Sequence, residues 1–355
     1  MADFDLLNLE ETKINSSMEG KVVLLYGSNN VGKSKVSSLI YPHQTLFIAT
    51  EKGYNALGGA RVVDTLDWNT FRQLVKQLTN KKTLKKMHDK YKAVVVDVAD
   101  RLPEMCASYI CDKNDIMALG DIPYGGGYAQ QKNEFNNQIN KLALSGYLVI
   151  LICHDETNSE YVDPVTGDEY SYTFPKNTMS KAGNPLKDIP DFVIYLQNNG
   201  TDKESGDVIL STGIVSHRKN VFARSRFTKC ATTIEPFTAE NLIKVVKDAC
   251  IAEAEELGVE CIDGFDIEAA IHEDDNIEEE KQLTHGELVK KVNSIGKKLY
   301  KDYQSDVVAI TERYLGEGVM VKNTTEAQND KLQFIINDLT DFAEKVKVDI
   351  EEDED

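Results

Sequence analysis

One stretch constrains this chain more than any other. Gly27-Ser-Asn-Asn-Val-Gly32-Lys33-Ser34 matches G-x-x-x-x-G-K-[ST]. An apolar run of strand length, Val22–Tyr26 (VVLLY), precedes it, and a helix-compatible stretch, Lys35–Ile40, follows. Glycines let the backbone take conformations that other residues resist. The loop amides and the helix N-terminus then present their positive ends to an anion. Strand, glycine turn and helix together therefore predict a phosphate cradle lined by Gly27, Ser28, Asn29, Asn30, Val31, Gly32, Lys33, Ser34 and Lys35. Lys33 would reach the β- and γ-phosphates, and the Ser34 hydroxyl would ligate Mg²⁺. The plain alternative is a glycine turn carrying a surface lysine.

The same pattern recurs along the first 250 residues. Thr45–Ala49 (TLFIA), Ala93–Val96 (AVVV) and Leu148–Ile152 (LVILI) are apolar throughout, as strands covered on both faces are. Helical spacing lies between them, over Trp68–Leu78 and Tyr128–Leu144. This alternation predicts an α/β domain with a mainly parallel sheet. Phe192–Leu196, Val208–Leu210 and Ile214–His217 are expected as later, antiparallel strands.

Charge divides the chain. Residues 1–250 carry 29 basic and 30 acidic side chains, whereas 251–355 carry 11 and 29, so nearly all of the net charge of −19 sits in the last third. The low overall pI therefore does not argue against nucleic-acid binding by the first part. Residues 251–283 hold 13 acids and one Lys, which predicts a self-repelling linker or an exposed acidic helix. From Thr284 helical spacing returns: THGE fits a capping box, and Leu288, Val292, Ile295 and Leu299 follow. Further helices are expected over Val307–Tyr314 and Gln328–Val346. The expected organisation is a core at 1–250, a linker at 251–283, a small helical domain at 284–346 and an acidic tail at 347–355. No apolar stretch approaches the ~20 residues of a membrane-spanning helix. The first twenty residues lack a signal-peptide pattern, and the six cysteines lack paired metal spacing. These features point to a reduced, cytoplasmic protein with no membrane partner.

Three further polar residues end apolar runs. Asp97 closes AVVVD and is placed to hold Mg²⁺, with Asp100 as a nearby competitor and helix capping as the alternative. Glu51, in FIATEKGY, could orient the attacking water or be an exposed turn residue. His154, in LICHDE, could feel the γ-phosphate or merely cap a strand.

These positions in this order resemble the RecA-like ATPase core, and more closely the phage-encoded RecA-like ATPases, a group that includes single-strand annealing and recombination proteins. The matching pieces are GSNNVGKS, FIATEKG, AVVVDVADRL, YGGGYAQQKNEF, LVILICHDE, DIPDFVIYL and SHRKNVFARSRF, covering about 18–235. The resemblance implies a RecA-like P-loop NTPase core of α/β class with a mainly parallel sheet, followed here by the small helical domain and acidic tail. It implies an ATP·Mg²⁺ site with Lys33, Ser34 and Asp97 in those roles, Glu51 as catalytic carboxylate and His154 in the sensor position, where bacterial RecA has an amide.

It also implies a use for two loops. Gly120–Gln131, and Asp155–Asp191 with Tyr161, Tyr170, Tyr172, Phe174, Lys176, Lys181 and Lys187, correspond to loops that hold single-stranded DNA in the family. Aromatic stacking with lysine–phosphate attraction suits that ligand; a β-hairpin around Pro164–Gly167 is the alternative for part of the second loop. One of Lys219, Arg224 and Arg226 would act across a subunit interface in a homo-oligomeric ring or filament; a solvated basic strand end is the alternative. The acidic tail resembles the tips with which single-strand-binding proteins recruit replication and recombination partners; plain solubility is the alternative. The expectation is a single-stranded-DNA-dependent ATPase of phage recombination or annealing. The alternatives are a helicase loader or replication-accessory ATPase, and a nucleotide-regulated binding module with little turnover.

Overall fold

The computed structural model describes residues 11–52, 58–162, 166–176, 185–201, 209–267, 270, 284–316, 318–325, 328–346 and 348. The chain forms two compact units, Met1–Asn276 and Ile277–Asp355.

In the first unit β1 (Ile14–Asn15) is followed by β2 (Val22–Tyr26), α1 (Lys33–Ile40), β3 (Thr45–Ala49), β4 (Arg61–Asp64), α2 (Trp68–Leu78), α3 (Leu84–Lys90), β5 (Ala93–Asp97), α4 (Leu102–Asn114), α5 (Gly126–Leu144) and β6 (Leu148–Cys153). A hairpin of β7 (Asp155–Val162) and β8 (Glu169–Pro175) comes next. The chain continues through α6 (Pro185–Asp188), β9 (Phe192–Gln197), β10 (Thr212–Ile214), β11 (Arg224–Ser225), β12 (Thr233–Ile234), α7 (Ala239–Leu257) and β13 (Cys261–Ile262). The main sheet runs β12-β10-β9-β2-β6-β5-β3-β4, with β11 beside β9. From β9 to β4 every pairing is parallel; β10, β11 and β12 pair antiparallel.

The unbroken apolar runs have a direct cause. Leu24, Tyr26, Ile48, Val96 and Leu151 face a layer carrying Trp68 and Phe71 of α2, Leu102 of α4 and Phe135 of α5. Their neighbours Val23, Leu25, Phe47, Val95 and Ile150 face Val36 and Ile40 of α1 and Leu242 and Val246 of α7. With helices on both sides, both side-chain sets are buried, each large side chain contributing about 1.5–3 kcal/mol.

Several sequence expectations need correction. β9, an antiparallel strand by the sequence pattern, pairs parallel with β2; only its other edge takes antiparallel partners. Of the expected strand Val208–Leu210, Val208 lies outside the described residues and 209–210 form no strand; β10 is Thr212–Ile214, so of the expected strand Ile214–His217 only Ile214 is in one. β4 leaves no mark in the hydrophobic pattern because it is a four-residue edge strand with exposed ends. The boundary at 250 falls inside α7, whose N-terminus is capped by Thr238 and which ends at Gly258 with φ 67°. Beyond it β13 pairs with β1, so 251–262 belong to the core and the acidic segment begins as a helix. The linker residues 271–283 lie outside the described ones.

In the second unit, the helix His285–Leu315 opens with the expected capping box: Thr284 N donates to Glu287 Oε2 at 2.6 Å and Glu287 N donates to Thr284 Oγ1 at 3.3 Å. The two helices expected up to Tyr314 are one, kinked at Tyr303. Leu288, Val292, Ile295 and Leu299 pack against Leu332, Ile335, Ile336 and Leu339 of the helix Asn329–Val346. Of the expected tail at 347–355, only Val348 is described. Among the described residues no helix is long and apolar enough to cross a membrane. All six cysteines are free.

Candidate nucleotide site

Parallel pairing brings the C-terminal ends of β2, β3, β5 and β6 to one edge of the sheet. Tyr26 lies opposite Cys153, and Asp97 lies between Ile152 and Ala49. The glycine loop, Glu51, Asp97 and His154, separated by up to 127 positions in sequence, therefore all leave the sheet on the same side. Ligands of open α/β sheets bind at such an edge.

Gly27 leaves β2 with φ 145°, and a Cβ there would stand 2.6 Å from the Leu196 carbonyl oxygen of β9. Gly32 has φ 95°, and a Cβ there would meet nothing within 4 Å. The first glycine is thus required by the neighbouring strand, whereas the second borders open space. Between them Ser28, Asn29 and Asn30 are exposed, and Asn30 also has positive φ, 64°. Val31 is buried, and its carbonyl accepts from Ser211 Oγ at 2.9 Å, a tether absent from the motif. α1 starts at Lys33 with no side-chain cap and no acid in its first turn, so its positive end is left for an anion. The Lys35 side chain is exposed; only its position in that first turn ties it to the cradle.

Lys33 is buried, and its Nζ donates to the carbonyls of Gly27 at 2.6 Å and Ser28 at 2.9 Å. Burial lowers its pKa, opposed by Asp155 and Asp97. Phosphate oxygens are better acceptors for a desolvated ammonium than two neutral carbonyls. Ser34 Oγ donates to Asp97 Oδ2 at 2.6 Å. Burial raises the Asp97 pKa, opposed by the Ser34 hydrogen bond and by Lys33. Two oxygen donors thus converge, as a hard cation requires. Among the described residues no cluster of three His, Cys, Asp or Glu side chains could hold a metal alone. Mg²⁺ characteristically takes one or two protein oxygens and completes its shell with phosphate oxygens and water. Ser34 and Asp97 fit that pattern.

The remaining candidates have partners that the sequence did not reveal. Glu51 Oε2 pairs with Arg101 Nη2 at 3.2 Å. His154 Nδ1 lies 3.1 Å from Asp100 Oδ2, so Asp100 serves the histidine and Asp97 faces Ser34. Thr50 clamps the strand tips: its hydroxyl donates to Val98 O at 2.7 Å and accepts from Val98 N at 3.0 Å. Arg224 donates to the carbonyls of Lys187, Asp188 and Pro190, and Arg226 donates to Ile189 O and pairs with Asp191. Both arginines hold the 187–191 turn of their own chain. Lys219 lies over the Tyr170 ring at 5.4 Å.

The two loops also change. Gly120–Gln131 is shorter than expected, because α5 starts at Gly126 and Gln131 is buried, its Nε2 donating to Pro103 O at 2.6 Å. Tyr124 projects fully into solvent from the part that remains. Asp155–Asp191 opens with the β7–β8 hairpin, the alternative reading for that segment. Pro164 and Lys181 lie outside the described residues, as does the placement of the Tyr161 side chain. Tyr170, Tyr172 and Phe174 alternate along β8 and so share one face. Lys187 Nζ lies 4.8 Å from the centre of the Phe174 ring.

Comparison with known proteins agrees with this geometry. The AAA domain family pattern matches residues 19–227, which hold the loop, Asp97, His154 and the hairpin. The chain belongs to the AAA domain family. It is also 30% identical over 340 residues, 95% of this chain and 98% of the other, to the SPbeta prophage-derived uncharacterized protein YorG of Bacillus subtilis (strain 168). The matched span is that of a P-loop ATPase family, which supports nucleotide binding by this chain. Bound nucleotide would be held by the loop amides and Lys33, with its divalent metal at Ser34 and Asp97.

Proposed function

We propose that the protein is a Mg²⁺-dependent ATPase whose turnover is coupled to single-stranded DNA during phage recombination or annealing. The observation that carries the ATPase part is the Ser34–Asp97 contact of 2.6 Å beside a buried Lys33, the donor set that a nucleotide·metal complex needs. Phosphoryl transfer to water requires mainly positioning and charge stabilisation. Lys33 and the loop amides would bind the phosphates, Ser34 and Asp97 the metal, and Glu51 would orient water once drawn away from Arg101.

The DNA part is supported by the hairpin that springs from β6 directly after His154. Its row of Tyr170, Tyr172 and Phe174, with Lys187 and Lys219 beside the rings, suits stacking with bases and attraction to phosphates. Assembly into a ring or filament, in which Lys219 would reach a neighbouring nucleotide, and recruitment of replication or recombination partners by the acidic tail belong to the same proposal. The Glu51–Arg101 ion pair favours a second reading, a nucleotide-regulated binding module with little turnover. Phosphate release measured with and without single-stranded DNA, across a salt series, decides. Stimulation that fades steeply as salt rises supports the coupled ATPase. Turnover indifferent to DNA removes the coupling, and nucleotide binding without turnover selects the second reading.

A further inference from the structure

We propose that Asp100 is a positioning residue that fixes the ring of His154 between the nucleotide site and the β7–β8 hairpin; the proposal rests on the nucleotide reading above. Asp100 lies in the turn Ala99–Arg101 directly after β5 and is 4% exposed. Its Oδ2 is 3.1 Å from His154 Nδ1. Its Oδ1 is buried with no hydrogen-bond partner among the described residues. Whichever of the two groups carries the shared proton, Nδ1 is committed to Asp100. Nε2 is therefore the ring nitrogen left for the nucleotide or its attacking water. A buried carboxylate with one oxygen unsatisfied is costly, so losing the histidine would strand both oxygens. The pair is thus held together from both sides.

Asp100 belongs to a fixed frame. The turn that carries it is held by the Ser34–Asp97 bond and by both Thr50–Val98 bonds. His154 belongs to the hairpin. β7 starts at the next residue, and β8 closes back because Lys176 N donates to His154 O at 2.9 Å. The hairpin is then tied to the Lys219 turn: Thr173 N donates to Asn220 O, and Phe222 N donates to Thr173 O, both at 2.9 Å. His154 is the residue at which both hairpin strands meet the site, and its ring is fixed by a carboxylate only three positions from Asp97. A ligand that changes the setting of the ring must act on the base of the hairpin or break the Asp100 contact.

The test uses the full chain. Hydrogen–deuterium exchange at the hairpin amides, 156–162 and 169–174, is measured with and without a non-hydrolysable ATP analogue and Mg²⁺. The affinity of the same analogue is measured in parallel. In the wild-type protein the analogue should slow exchange in the hairpin. Asp100→Ala should reduce that protection at least tenfold while changing the analogue's Kd less than threefold. His154→Ala should lose as much of the protection, with whatever loss of affinity the missing ring causes, and the double variant should lose no more protection than His154→Ala alone. Asp100→Asn, whose amide oxygen can still accept from Nδ1, should restore most of the protection and guards against a mere folding defect. Undiminished protection in Asp100→Ala, or additive losses in the double variant, overturns the proposal. So does analogue binding by the wild type without hairpin protection. Failure of the wild type to bind the analogue would instead strike the nucleotide reading.

Discussion

Two glycines of one motif should respond differently to the same substitution, because the structure gives them different surroundings. Gly32→Ala places a methyl group at φ 95° where no atom of the chain lies within 4 Å. Its cost to folding is the left-handed backbone alone, about 1–2 kcal/mol. Gly27→Ala carries a similar backbone cost and also drives a Cβ to 2.6 Å from the Leu196 carbonyl oxygen, backbone of a central strand that cannot swing aside. Overpacking of that kind adds about 1–3 kcal/mol. The variants should therefore differ by about 1–3 kcal/mol in stability, roughly 5- to 150-fold in the folding constant. The single tryptophan, Trp68, is 1% exposed and stacks on Phe135 with ring centroids 5.8 Å apart, so its fluorescence follows unfolding of the first unit alone. Urea titrations read through Trp68 supply the stability order. A fluorescent ATP analogue supplies the second reading: Gly32→Ala should stay folded yet lose most nucleotide affinity, because its methyl occupies the open side of the cradle. Equal or greater destabilisation by Gly32→Ala, or wild-type nucleotide affinity in that variant, would refute the reasoning.

The other expectations concern charge. Lys33→Ala should abolish nucleotide binding or turnover, tested by calorimetry with ATP·Mg²⁺ and by phosphate release; retained hydrolysis contradicts the site assignment. Asp97→Asn should keep its Ser34 contact but need at least tenfold more Mg²⁺ for half-maximal turnover, read from a metal titration, and an unchanged requirement would remove Asp97 from the metal site. Arg101→Ala frees Glu51 from a partly exposed ion pair worth about 0.2–1 kcal/mol, so DNA-free turnover should rise by up to about fivefold; a fall would show that the pair does not restrain Glu51. His88 is fully buried, its Nε2 2.7 Å from Ser145 O and its ring stacked on Tyr147, and burial lowers its pKa below the ordinary 6.5. The unfolded chain then binds a proton more readily than the folded one, so stability is full above about pH 6.5 and declines as pH falls toward the lowered folded value. Urea midpoints from pH 8 to 5 should fall more steeply for the wild type than for His88→Phe, and parallel slopes would exclude His88 as the cause.

Local physics left clear marks in the sequence. The apolar runs at Val22, Thr45, Ala93 and Leu148 are legible because both faces of each strand are covered. The glycine loop is legible because phosphate binding demands a fixed backbone and a fixed cation. The capping box at Thr284 is legible because its partners lie within one helical turn. The chain therefore declared an α/β sheet, a phosphate loop and a helical C-terminal unit. Where a feature depended on an edge or on a distant partner, the pattern was silent. β4 has no apolar run, and nothing in the acidic residues after 250 reveals that α7 packs its other face on the sheet.

Pairings between residues far apart in sequence were settled only by the tertiary structure. The sequence placed Asp97 at the strand end with Asp100 as its competitor, and strand order gave each its partner by setting β6 beside β5, which leaves Asp97 with Ser34 and Asp100 with His154. Arg224 and Arg226 stood beside Lys219 as candidate cations for a neighbour, and their contacts with the carbonyls of the 187–191 turn of their own chain were visible only in the fold. Backbone propensity and hydrophobic period are properties of adjacent residues, so they survive in the order of letters. Which carboxylate meets which cation depends on how the strands stack side by side, and that ordering exists only once the sheet has formed.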